Sequence, residues 1–161
     1  TRRIKMAKST FSGPVVSNNG FIQAGSNNIV DITAETTLTF NDHAGRIIEV
    51  NDADGAVTLP SIKSGELGAK YTFFIGTDAT DLDIKTDGTD KFVGSLTVAI
   101  TDDAEKTFIP AATNDVISLN GGTKGGDKFS YLEITALATA EYMVQGLLIG
   151  SGSLATPFAD S

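Results

Sequence analysis

At 161 residues the chain has the size of one ordinary domain, long enough to remove on the order of 70% of its unfolded surface from water. It contains no cysteine, which excludes a disulfide framework and a thiolate metal site and leaves packing, backbone hydrogen bonds and subunit contacts to hold it together. The net charge is −8, and because Arg2, Arg3, Lys5 and Lys8 crowd into the first eight residues, the body is more acidic than the total and repels nucleic acid.

In chain order, residues 1–30 read as an extended arm. Ser12-Gly13-Pro14, Ser17-Asn18-Asn19-Gly20 and the polar stretch from Gly25 to Asn28 separate the small apolar clusters Val15-Val16 and Phe21-Ile22. Met6-Ala7-Lys8 has the form of a translation start. The basic tip is thus either an anchor for an acidic partner surface or a solvated terminus with vector-derived residues ahead of Met6.

Residues 31–150 are rich in Thr, Val, Ile, Phe and Gly, and turn residues recur about every ten positions, the rhythm of all-β sandwiches and barrels. Period-2 alternation predicts half-buried strands at Leu38 and Phe40, Val57 and Leu59, Leu82 and Ile84, and Leu96, Val98 and Ile100. Further strands are expected at Arg46 to Val50, Tyr71 to Ile75, Val116 to Leu119, Phe129 to Ile134 and Tyr142 to Ile149. The run Tyr71-Thr72-Phe73-Phe74-Ile75 is apolar on both faces, so its second face needs a cover from the opposite sheet or a neighbouring subunit. The segments 51–55, 86–90 and 120–126 have the compositions of turns. The best helical spacing, Tyr131 to Val144, also fits two strands and a turn and is read that way. Residues 151–161 read as a tail, with Gly150-Ser151-Gly152-Ser153 a flexible joint before an apolar tip.

Catalytic chemistry finds little material. The one histidine, His43, lies in the turn Asn41-Asp42-His43-Ala44-Gly45, and no strand-Gly-x-Ser-x-Gly-helix context exists, so no catalytic residue is assigned. A helix-loop-helix calcium loop starting at Asp52 would need Glu at its twelfth position and meets Lys63 instead. No metal or other cofactor is expected. Gly121 to Gly126 lacks the Gly-Lys-Ser/Thr order of a phosphate loop. No apolar run approaches the roughly 20 residues of a membrane span, and a soluble protein made in the cytoplasm of its producing cell is expected. Tyr71, Phe73, Phe74, Phe92, Phe129, Tyr131 and Tyr142 lie in or beside predicted strands, where core packing is the ordinary outcome. Phe11, Phe21 and Phe158 sit in the arms and are the candidate anchors for a partner's pockets.

Thr37-Leu38-Thr39-Phe40-Asn41-Asp42-His43-Ala44-Gly45-Arg46, then Val57-Thr58-Leu59-Pro60, then Gly68-Ala69-Lys70-Tyr71-Thr72-Phe73 together resemble a module of phage virion proteins. Gly126-Asp127-Lys128-Phe129 and Tyr142-Met143-Val144-Gln145-Gly146 match its closing strands. The opening Ala7 to Ser17 and the ending Gly150 to Phe158 look like the termini of capsid decoration proteins of tailed bacteriophages. A departure is Glu141-Tyr142-Met143 where that family often carries a Trp-bearing strand.

The resemblance implies a sandwich or barrel-like body of jelly-roll or β-tulip type, associated as a homotrimer on the outer surface of a virion. There it would bind the major capsid protein, as a cement, through Phe11, Pro14, Val15, Val16, Phe21, Ile22 and Phe158. Alternatives are a head-fibre or tail-fibre base and a carbohydrate-binding module.

Overall fold

Alternating apolar residues produce strands here because successive side chains on an extended backbone point to opposite faces. The computed structural model describes residues 24–100 and 104–161. Within these, β1 (Ile29–Ile32), β3 (Ile47–Val50), β5 (Lys70–Ile75), β7 (Lys91–Ile100), β8 (Glu105–Phe108), β10 (Tyr131–Ala138) and β11 (Glu141–Gly150) form one sheet. Its strand order is β1-β3-β5-β10-β11-β7-β8. A second sheet has the order β12-β9-β6-β4-β2, from β2 (Thr36–Thr37), β4 (Ala56–Thr58), β6 (Leu82–Lys85), β9 (Val116–Leu119) and β12 (Phe158–Ala159). The two sheets share one continuous apolar core, so the body is an all-β sandwich.

The first six strands alternate between the sheets. As a result β1, β3 and β5 pair in parallel in one layer, and β2, β4 and β6 in the other. Parallel neighbours need a long crossover, and here a strand of the opposite sheet supplies it in place of a helix. The second half of the chain contributes the hairpin β10–β11 and the pair β7–β8, both antiparallel, with β11 parallel to β7 over its full length.

Inward residues from both layers fill the core: Ile48, Val50, Tyr71, Phe73, Ile75, Leu132, Ile134 and Val144 from the larger sheet, and Val57, Leu82, Ile84, Ile117 and Leu119 from the smaller. Tyr71 and Tyr142 meet edge to face with centroids 6.4 Å apart. The Tyr142 hydroxyl donates to the Pro60 carbonyl at 2.6 Å, tying the larger sheet to the segment that follows β4. Burial pushes the Tyr71 hydroxyl up to about 12, with the Glu66 charge adding to the effect, and burial raises Tyr142 as well. Both stay neutral, as a core position requires.

Several elements depart from the sequence expectation. Leu38 is buried, but the strand there is only Thr36–Thr37; Phe40–His43 is a single helical turn, α1. The Thr39 hydroxyl accepts from the Asp42 N–H, and His43 Nδ1 accepts from the Thr39 N–H at 2.9 Å, so the histidine caps a local turn. Strands β1, β8 and β12 were not anticipated.

The largest correction concerns the C-terminal residues. Phe158, expected to anchor in a partner, is only 6% exposed and pairs with Ile117 in the chain's own smaller sheet. Its segment is held by Ser118 N–H on the Pro157 carbonyl and Ala155 N–H on the Thr123 carbonyl. The physical reason is that an apolar strand beside an open sheet edge gains more by pairing there than by staying in water. The remaining anchors, Phe11, Pro14, Val15, Val16, Phe21 and Ile22, lie outside the described residues.

Asp115 locks this end of the chain. Its buried carboxylate takes Lys91 Nζ at 2.6 Å and the Ser161 N–H at 2.8 Å. Burial alone would raise its pKa, but the Lys91 and Ser161 hydrogen bonds outweigh that and hold it below the ordinary carboxylate value. The stabilisation is therefore whole above the unfolded carboxylate value and is lost as pH falls through the lower folded value. Urea melts from pH 7 down to pH 3 should show Asp115→Asn less stable by about 1–3 kcal/mol at pH 7, with the gap to wild type closing in acid. A gap that does not depend on pH would contradict this linkage.

Gly94 interrupts β7 at φ +104, opposite Val144 of β11. A Cβ there would collide with the Val144 carbonyl oxygen. Gly94→Ala should cost at least about 2 kcal/mol by denaturant titration, from the left-handed φ and the clash together.

Candidate functional site

Exposed large apolar side chains gather on the outer face of the larger sheet, with Leu67 and Ile109 exposed outside the strands. Register places Glu49, Phe74, Tyr131, Leu147 and Thr97 side by side on β3, β5, β10, β11 and β7. Phe74, Tyr131 and Leu147 are exposed at the middle of this row. The Phe74 and Tyr131 rings lie tilted at 35° with centroids 5.6 Å apart, within the range of favourable aromatic contact. The adjacent row is polar: the Glu133 carboxylate accepts from Lys70 Nζ at 3.0 Å and from Gln145 Nε2 at 3.2 Å. The face is thus an apolar band bordered by charge.

Beside this band lies a recess of about 300 Å³, walled by Ile29, Ile47, Phe74, Ile75 and Phe129, with Glu49 and Lys128 its charged lining residues. Phe129 is the unusual wall. It is 73% exposed and holds φ at +73, a conformation rare for a bulky residue and costing of order 1–3 kcal/mol. Backbone bonds over-determine it: the Phe129 N–H donates to the Ile75 carbonyl at 2.8 Å and the Ile75 N–H to the Ser130 carbonyl at 2.9 Å. The Lys128 N–H bonds Asp78 Oδ1 at 2.7 Å, and Lys128 Nζ sits 5.4 Å from the Phe129 ring centroid, in cation–π range. Burial, with Asp78 nearby, pushes the Asp127 carboxyl above its ordinary value.

The sequence expectation that strand aromatics pack in the core holds for Tyr71, Phe73, Phe92 and Tyr142 and fails for Phe74, Phe129 and Tyr131. One signal was available, because consecutive Phe73 and Phe74 cannot both face inward in a strand. Phe129 had no such signal.

Other candidate chemistry resolves into structure. The glycine-rich loop spends its amides on itself, with Gly122 and Lys124 N–H on Asn120 Oδ1 and Gly121 N–H on the Gly125 carbonyl. In the 51–55 turn, the Ala53 carbonyl accepts from Thr80 and Asp81 and the Gly55 carbonyl from Asp83. Among the described residues there is no cluster of three or more His, Asp or Glu side chains suited to a metal, and no helix long and apolar enough to cross a membrane. No family model, curated protein or solved structure matches the chain.

If Phe129 serves recognition and not folding, Phe129→Gly should relieve the positive φ and leave stability within about 1 kcal/mol of wild type or above it. Phe73→Ala, emptying the core under the same sheet, should cost about 3–5 kcal/mol. Chemical denaturation of both variants checks the contrast.

Proposed function

We propose that this protein is a non-enzymatic decoration, or cement, protein of a tailed-phage capsid, binding the outer surface of the shell as a homotrimer. The observation that carries the adhesive part of this reading is the apolar face of Phe74, Phe129, Tyr131 and Leu147, left exposed by a sheet whose core is complete without them. Contiguous exposed apolar surface of this kind marks interaction sites. The phage assignment rests on the sequence resemblance set out above. On this reading the described body stands on the shell, and the first residues, with Phe11, Pro14, Val15, Val16, Phe21 and Ile22, reach the major capsid protein or a neighbouring subunit.

No bond is made or broken in such a mechanism. A protein that binds the assembled lattice and not its dissociated subunits adds its binding free energy to the lattice at the expense of disassembly. Three linked copies turn weak arm contacts into firm attachment, because after the first contact the others are intramolecular.

A second reading, glycan binding, has the aromatic faces of Phe74, Tyr131 and Phe129 in its favour, since exposed rings stack on flat ligands. A glycan array tests it directly. For the first reading, purified protein is mixed with undecorated expanded capsids and sedimented. Bound copies near the number of major capsid subunits are expected, and removal of residues 1–21 should abolish that binding while leaving a folded trimer. A few copies per particle would instead fit a vertex fibre base.

A further inference from the structure

The recess beside Phe129 lies within reach of a particular occupant. One of its walls is Ile29, the first residue of the edge strand β1, and the chain enters β1 from the tight turn Ser26–Asn28. The 23 residues ahead of Ala24 are therefore tethered at the recess itself. Their nearest apolar pair, Phe21-Ile22, stands seven or eight residues before Ile29. Phe74, on the far wall, is two strands from β1, roughly 10 Å at ordinary strand spacing. The turn Ser26–Asn28 takes up three of the intervening residues, and the four from 22 to 25 reach about 13 Å when extended, so the pair spans the recess without help from another molecule.

Charge favours the same occupant. The first 23 residues hold four basic side chains and no acidic one, whereas the rest of the chain holds eight basic and twenty acidic. Glu49 lines the recess, Asp31 is its neighbour on β1, and Asp78 and Asp127 flank the turn that carries Phe129. Lys128 also lines the recess, so the balance against these four carboxylates is acidic; a basic segment is attracted to it, and the local tether raises its effective concentration there.

We propose that Phe21 and Ile22 of the same chain dock in the recess walled by Ile29, Ile47, Phe74 and Phe129. The docked pair fixes where the preceding residues leave the body, and it explains why Phe129 is held outward at a strained φ: the ring is a wall of an intramolecular binding site. The docking does not depend on the capsid reading. For Phe21 and Ile22 this intramolecular contact replaces the outside contact of the capsid reading, and Phe11 to Val16 remain the part of the segment that meets a partner.

The absence of native cysteine allows a clean trap. In the full chain, Gln23→Cys is combined with Lys128→Cys at the recess, or with Leu137→Cys, an exposed position towards the far end of β10, as control. Under mild oxidation the 23–128 disulfide is expected to form within one chain at least tenfold faster than the 23–137 disulfide. Equal rates overturn the proposal. Disulfide-linked dimers or larger species forming ahead of the intrachain product also overturn it, and would assign the recess to a second copy. As an independent measurement, Phe21→Ser with Ile22→Ser should raise binding of a fluorescent apolar dye several-fold with an unchanged circular dichroism spectrum. Dye binding equal to wild type overturns the proposal as well.

Discussion

Everything in this molecule depends on the chain crossing from one sheet to the other at each of its first six strands. That alternation makes β1, β3 and β5 parallel neighbours in one layer while β2, β4 and β6 stack in the other. Each inward side chain then meets inward side chains of the opposite layer, so Ile48, Phe73 and Ile75 find Val57, Leu59 and Ile84 in one shared core. Because the crossover is itself a strand, no helix among the described residues covers the outer faces, whereas parallel sheets are ordinarily shielded by helices on both sides. The uncovered outer face of the larger sheet is the direct consequence.

That face is where the fold accepts cost. Phe74, Tyr131 and Leu147 stay exposed although sequence change could make them polar without touching the core, and Phe129 is held at a positive φ by its N–H on the Ile75 carbonyl and by the Ser130 N–H on the Asp127 carbonyl. Strain and exposed apolar surface together are features that sequences keep at functional sites. The opposite behaviour is seen around Asp115, where polar groups are paired: Lys91 and Ser161 on its carboxylate, and Thr113 and Asn114 on Asp160. The contrast is between a surface whose polar groups are paired and one that leaves apolar side chains exposed.

A sandwich that displays a sheet face must also limit uncontrolled pairing at its edges. Strand β8 carries Glu105 and Lys106 at one edge of the larger sheet, and at the other β1 is only four residues long with Asp31 outward. Short strands and charges are the ordinary means of discouraging edge-to-edge association.

The sequence by itself determined the all-β class and most strand positions, because alternation at Leu82 and Ile84, at Leu96 and Val98, and along Tyr142 to Leu148 leaves only one face to bury. It also left little material for acid–base or thiolate chemistry, since it holds one histidine and no cysteine. Tertiary structure decided that Phe129 faces out. Tyr71 and Phe73 alternate with Thr72 and point inward, but Phe129 leaves the core because its turn takes a left-handed φ, a property of backbone closure between β5 and β10 that composition does not encode. Tertiary structure also turned Phe158 from an expected anchor into a core residue. The open edge of β9 that receives it is assembled from strands more than 30 residues apart in the chain, and a pairing that distant leaves no local pattern in the sequence.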